Sequence, residues 1–204
     1  MVVQVREAGL EALAAYGRIS IAFEVRSVLK VEAIEGGMGG FSMREEPVNP
    51  PYLKDYDALD EGGPERWPEQ FDTSHFTLLL AEVDGELVGS ATMVYDTPDL
   101  TVLEGLSDLA VVWDIRVHPR WRGKGVGEAL FEHAKNWAAA HGCTMLKVET
   151  QNVNVSACLF YRRMGCELGA IHRFGYLGNP QIGEEVMLLW YLRLVDETDG
   201  LIDK

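Results

Sequence analysis

The chain has 204 residues, of which 47 % are hydrophobic, with 18 basic and 32 acidic side chains and a formal charge of −14. That length suits one domain with a full core. The acidic balance excludes a non-specific nucleic-acid binder, which needs cations to displace phosphate counterions, and no run of about eighteen apolar residues offers a membrane-spanning helix.

Residues 2–6 alternate apolar and polar and read as a first strand. The surrounding sequence, MVVQVREAGLEALAAYG, carries acidic residues early and lacks a small-residue cleavage signal, so no secretory leader is expected. Residues 8–32 carry helical periodicity and are expected as two helical pieces. Residues 36–75 change character. They are rich in Gly, Pro, Asp and Glu and interleave Tyr52, Tyr56 and Trp67. They are expected to be an irregular excursion, a kind of segment that is commonly functional when it is long. Two apolar runs, 76–83 and 86–95, flank Asp84-Gly85, a two-residue hairpin signal. A strand follows at 109–117. Residues 124–141 place Val126, Leu130, Phe131, Ala134, Trp137 and Ala138 at helical spacing, and Gly142 suits the position just past the helix. A strand at 143–150, a short helix at 153–164 and strands at 166–176 and 184–194 complete the pattern. Residues 196–204, DETDGLIDK, form an acidic tail. No internal repeat and no second domain is evident. Cys143, Cys158 and Cys166 are an odd number without metal-ligand spacing, and read as idle thiols of a reducing cytoplasm. No metal is expected.

The segment Trp113 to Gly127, WDIRVHPRWRGKGVG, joins a strand to a helix through a basic, glycine-rich turn. Backbone N–H groups at a helix start lack intrahelical partners and carry partial positive charge, so they suit an anion. Gly123, Gly125 and Gly127 let the backbone approach phosphate oxygens, and Arg120, Arg122 and Lys124 add charge around them. The P-loop pattern GxxxxGK[ST] is absent, and GxGxxG fails because Glu128 or Leu130 stands at its last glycine. The pattern that does fit is Arg122-Gly123-Lys124-Gly125-Val126-Gly127, an R-x-x-G-x-G spelling placed directly after a strand. Downstream, Asn154, Ala157, Phe160, Tyr161 and Gly165 give N-x-x-A-x-x-F-Y-x-x-x-G.

Together these two elements resemble the GNAT superfamily of acetyl-CoA-dependent N-acetyltransferases. The resemblance implies an α/β (α+β) fold with a mixed, mostly antiparallel sheet of about seven strands flanked by helices. It implies one catalytic domain over 1–195, with 36–75 walling the acceptor site. Acetyl-CoA is the implied co-substrate. Its pyrophosphate would meet Arg122, Gly123, Lys124, Gly125, Val126 and Gly127. The backbone of Ile115, Arg116 and Val117 would pair with its pantetheine, where side-chain changes are expected to matter little, and Asn154 would contact that arm. Tyr161 is implied as the proton donor to the leaving thiolate. Asp114 or Glu149 would accept the amine's proton or bind the ammonium. An ordinary carboxylate, with a pKa of about 4, is a weak base for an ammonium near about 10, so electrostatic binding is as good a role as proton abstraction.

A narrower similarity covers residues 109–194. Glu149-Thr150-Gln151 running into Asn152 and Asn154, then Ala157-Cys158, Phe160-Tyr161, a closing Trp190-Tyr191 and Asp114-Ile115 resemble the streptothricin acetyltransferases within that superfamily. The implied acceptor is a primary amine of a small cationic molecule, and an acidic chain suits it. Other amines stay open: an aminoglycoside, polyamine, amino acid or protein amine. A further alternative of another class is an acyl-CoA-binding sensor without turnover; Tyr161 and the carboxylates argue against it. A cytoplasmic location, with neither nucleic-acid nor membrane partners, is expected. Many members of the superfamily are dimers, so a homodimer stays open.

Overall fold

The computed structural model describes residues 1–59, 63–97 and 100–194; the expected acidic tail at 196–204 lies outside them. Among the described residues, nine strands and four α-helical segments run in chain order: β1 Gln4–Ala8, α1 Leu13–Tyr16, β2 Phe23–Ala33, β3 Phe41–Lys54, α2 Trp67–Gln70, β4 Phe76–Val83, β5 Glu86–Val94, β6 Leu109–Val117, α3 Val126–Ala140, β7 Met145–Gln151, α4 Val155–Arg163, β8 Glu167–His172 and β9 Met187–Arg193. Seven strands form one sheet in the order β1-β4-β5-β6-β7-β9-β8, and β2 and β3 form a separate ribbon. Every neighbouring pair is antiparallel except β6 and β7. A parallel pair needs a crossover, and α3 supplies it.

Local sequence explains the elements around the site. Asp84 and Gly85 both take left-handed backbone (φ 51° and 81°), the conformation a tight hairpin between β4 and β5 requires. Along α3, Val126, Leu130, Phe131, Ala134, Trp137 and Ala138 are all buried. They pack α3 on the sheet within the main core, which also takes in Leu79, Met93, Leu146 and Leu188. Full burial of one such large side chain is worth about 1.5–3 kcal/mol. Asn154 caps α4, its Oδ1 accepting from the Ala157 N–H at 3.2 Å.

Two expectations are corrected. The helical reading of 8–32 survives only as a 3₁₀ turn and α1 over Leu10–Tyr16, while 23–33 is strand β2. The excursion at 36–75 contains the fourteen-residue strand β3. The prolines misled because β3 pairs on one side only. Within it, Pro50 and Pro51 sit where the register jumps from Val25↔Tyr52 to Ser27↔Pro47. An edge or a bulge is where a strand tolerates a residue without an N–H. The three cysteines are free and buried.

Candidate functional site

The sheet splits at its parallel pair. The β6–β7 ladder runs from Leu109↔Met145 to Val112↔Val148 and ends there, although β6 continues to Val117 and β7 to Gln151. A bulge marks the same point on the other side of β6: Thr92 faces Asp114 and Met93 faces Val112, leaving Trp113 as the extra residue. A bulge bends the strand that carries it. Trp113 is held there by aromatic neighbours Phe71 at 5.0 Å, Phe76 at 5.5 Å and Trp67 at 6.4 Å between ring centroids. The diverging strands open a cleft of about 790 Å³. Ile115, Arg116 and Val117 line one side, Glu149, Thr150 and Gln151 the other.

One end of the cleft is the glycine-rich turn. Gly123 and Gly125 take left-handed backbone, φ 71° and 85°, and Gly125 is the N-cap of α3 with no side chain capping its first N–H groups. A Cβ at either glycine would meet nothing within 4 Å. The open space in front of an uncapped helix start fits a pyrophosphate, and the free edge of β6 past Val112 fits an extended amide arm. Arg122, Gly123, Gly125 and Gly127 line the cleft here, with Arg163 from α4. Arg122 is anchored by its Nε to the Val117 carbonyl (3.0 Å) and by Nη2 to the Ser20 carbonyl (3.2 Å). Lys124 lies over the Trp121 ring at 5.2 Å.

Tyr161 lies on α4 and also lines the cleft, 2 % exposed, with Phe160 and Phe131 at 5.1 and 5.6 Å. Burial pushes its phenol well above the usual tyrosine range, with the nearby Cys166 thiol adding to the effect. At neutral pH it keeps its proton. Asn154 lines the same stretch, but its oxygen is committed to the α4 cap, leaving the NH₂ as the group able to donate into the cleft.

The other end is polar and was mostly invisible in the sequence. Glu149 accepts a hydrogen bond from the Tyr176 hydroxyl at 2.6 Å, and Gln151 Nε2 donates to that same hydroxyl at 3.0 Å. Glu185 accepts from the Tyr56 hydroxyl at 2.7 Å and pairs with Lys54 at 2.5 Å. Burial, then the adjoining carboxylates, raise both phenols.

Asp114 lines the cleft beside Ile115 and is also the hub of a buried network. Its Oδ1 accepts from the Tyr16 hydroxyl at 2.9 Å and from Arg116 Nε at 3.0 Å; its Oδ2 accepts from Arg116 Nη2 at 2.8 Å. Arg116 also donates from Nη1 and Nη2 to Asp57 at 2.6 and 2.8 Å, and from Nη1 to the Ile19 carbonyl at 3.3 Å. A carboxylate saturated by a guanidinium and a phenol has little left for an incoming amine. Glu149, with one phenol donor, is the freer of the two. The expectation that Arg116 matters through backbone alone is corrected, since its guanidinium ties three segments together. Tyr16, Tyr56, Asp57, Tyr176 and Glu185 were not singled out as site residues. The aromatics interleaved at 52–67 were the one signal that could have pointed to Tyr56.

A sheet split at a parallel pair, with a glycine-rich helix start at its mouth, is the architecture of a coenzyme A-dependent acyltransferase. Residues 42–166 match the acetyltransferase (GNAT) family. Streptothricin acetyltransferase of Escherichia coli is 33 % identical over 169 residues, 83 % of this chain and 84 % of that protein. Streptothricin acetyltransferase of Streptomyces lavendulae is 33 % identical over 152 residues, 74 % and 75 % of the two chains. The fold superposes on nourseothricin acetyltransferase with a TM-score of 0.74 and 28 % identity, covering 96 % of this chain and 100 % of that one. It superposes on a Bacillus anthracis structure in complex with acetyl coenzyme A with a TM-score of 0.72 and 25 % identity, covering 96 % and 99 %. The chain belongs to the GNAT acetyltransferase family. It is an acetyl-CoA-dependent N-acetyltransferase.

Proposed function

We propose that this enzyme acetylates a primary amine of streptothricin or a similar cationic antibiotic, in the cytoplasm and by direct transfer from acetyl-CoA. The observation that carries the acceptor is Glu149, a carboxylate that lines the cleft and is held by a single donor, the Tyr176 hydroxyl. Two relatives above 30 % identity named for streptothricin support the same acceptor. We take residues 1–195 as one catalytic domain, with residues 36–75 contributing the acceptor wall.

Acetyl-CoA supplies the activated acetyl group. The turn at Arg122, Gly123, Lys124, Gly125, Val126 and Gly127 binds its pyrophosphate through backbone N–H groups and two cations. The free edge at Ile115, Arg116 and Val117 orients the pantetheine arm, helped by the Asn154 amide. A backbone N–H on that edge polarises the thioester carbonyl as negative charge develops. Glu149 binds the acceptor ammonium and passes its proton on, directly or through water, leaving a neutral amine to attack. Tyr161 gives its proton to the thiolate as it leaves.

The test is steady-state acetyl transfer, following release of CoA thiol, with streptothricin beside aminoglycosides, polyamines and amino acids. High kcat/KM on streptothricin alone is expected. Turnover only on another amine moves the acceptor assignment. Tight acetyl-CoA binding with no turnover on any amine overturns the catalytic reading of Tyr161 and Glu149.

A further inference from the structure

Tyr56 and Asp57 are consecutive in the chain, yet their side chains reach opposite arms of the split sheet. Asp57 is gripped from β6, both of its oxygens held by the guanidinium of Arg116. Tyr56 is gripped from the β7–β9 arm, its hydroxyl bonded to Glu185 just before β9 begins. Lys54 closes the second grip, with its ammonium on Glu185 and 5.0 Å from the centre of the Tyr56 ring. Arg116 and Glu185 are themselves buried, 2 % and 8 % exposed. The first grip therefore anchors the segment to β6, and the second to the end of the loop that leads into β9.

We propose that Tyr56 and Asp57 are positioning residues that set acceptor specificity, acting as a strap clasped at both ends across the gap between β6 and β7. Tyr56 and Leu59 line the cleft from this strap, and Tyr56 lies close to Tyr176. Behind the strap lies a hollow of about 180 Å³ walled by Asp57, Trp67, Phe71 and Trp113. Once released, the strap has room to swing outward, and the wall would lose its fixed distance from Glu149. A bidentate guanidinium–carboxylate grip fixes direction as well as distance, which a single contact does not. Neither residue donates or accepts a proton of the reaction. Their effect falls on how tightly, and which, acceptors bind. This inference rests on the reading of this end as the acceptor end, though not on which amine enters it.

The test uses the full chain and isosteric variants, Asp57→Asn, Tyr56→Phe and the double variant. The amine is the one giving the highest kcat/KM, and acetyl-CoA affinity is measured by calorimetry. Each single variant is expected to raise the acceptor KM about tenfold, as for loss of a hydrogen bond to a charged group, with kcat changed less than about threefold and acetyl-CoA affinity unchanged. Because opening either clasp frees the same segment, the double variant should match the weaker-binding single variant and not multiply to about a hundredfold. Multiplicative effects, or no change in acceptor KM, overturn the strap. Loss of acetyl-CoA affinity with acceptor KM unchanged overturns instead the assignment of the acceptor end. If Asp57→Asn fails to fold, Tyr56→Phe, which keeps the ring and leaves Glu185 its lysine, tests the acceptor KM alone.

Discussion

Asn152 and Leu29 hold each other by two hydrogen bonds: the Leu29 N–H donates to the Asn152 main-chain oxygen at 2.9 Å, and Asn152 Nδ2 donates to the Leu29 carbonyl at 3.0 Å. On its other side Asn152 does the same with Val186, donating from its N–H to the Val186 carbonyl (2.9 Å) and accepting at Oδ1 from the Val186 N–H (2.8 Å). One buried asparagine thus fastens the β2–β3 ribbon to the end of β7 and to the approach to β9, one residue from Glu185. Asn152→Ala leaves the Val186 N–H and the Leu29 carbonyl without those partners. Each costs about 1–3 kcal/mol when buried and unpaired, so a loss of roughly 2–6 kcal/mol is expected. Urea melts would read it directly. A stability change under about 0.5 kcal/mol would mean water replaces both contacts.

Much of the frame was legible because it is local. The turn at Asp84-Gly85 and the apolar stripe of α3 each need only neighbouring residues, and so does the glycine-rich turn. The ribbon was not legible. Leading into and along β2, Ile21, Val25, Val28 and Leu29 stand at helical spacing, and the register shift between Val25 and Ser27 breaks the strand alternation that would have contradicted it. The acceptor end was hidden for a different reason. Glu149 and Asp114 could be named from their strands, but their partners Tyr176 and Tyr16 lie 27 and 98 residues away. Only the folded chain shows that one carboxylate keeps a single phenol donor while the other is locked by Arg116.

Gly127 offers a clean test of the phosphate cradle. A Cβ there would meet Phe160 and Val117 at ordinary contact distances, 3.6 and 3.7 Å, and Ala is favoured over Gly inside a helix. Gly127→Ala should therefore fold as well as the parent or better. Gly127→Asp adds a carboxylate beside the proposed pyrophosphate site and should abolish acetyl-CoA binding by calorimetry. Retained affinity in the Asp variant would remove the turn from the cofactor site.

Tyr161→Phe keeps the ring packed against Phe131 and Phe160 and removes only the hydroxyl. As proton donor, Tyr161 should contribute about ten- to a thousand-fold in kcat, with acetyl-CoA affinity unchanged. Because burial holds its proton beyond the ordinary tyrosine range, the parent's kcat should show no alkaline fall up to about pH 10. An unchanged kcat in the Phe variant removes Tyr161 from the mechanism. A fall in the parent's kcat between about pH 8 and 9 assigns the proton to another group.

The same burial acts on stability. Tyr16 and Tyr161 are 0 % and 2 % exposed, and desolvation first, with Asp114 next for Tyr16 and Cys166 next for Tyr161, raises both phenols in the native state. Below about pH 10 both are neutral whether the chain is folded or not, and their contribution is fully present. Above it the unfolded chain releases protons that the native state retains, so stability falls as pH rises. Each phenol adds a slope of about 1.4 kcal/mol per pH unit. Urea melts from pH 8 to 11 should show a plateau and then this decline. Tyr161→Phe should make the decline shallower by about one such slope.

Glu149 and Asp114 can finally be told apart by which quantity each moves. Glu149→Gln keeps the hydrogen bond from Tyr176 and removes the charge, so the fold should be little affected. The kcat/KM for the amine should drop by about a hundredfold, the scale of a lost acid–base or charge contact. Asp114→Asn leaves Arg116, whose side chain is 1 % exposed, facing one carboxylate where it had two. Breaking a buried ion pair costs about 3–5 kcal/mol, so its main expected effect is on the melt and not on the kcat/KM of the active fraction. Were Asp114→Asn to fold normally and lose turnover, with Glu149→Gln active, the roles of the two carboxylates would be exchanged. The network around Arg116 would then belong to the chemistry and not to the frame.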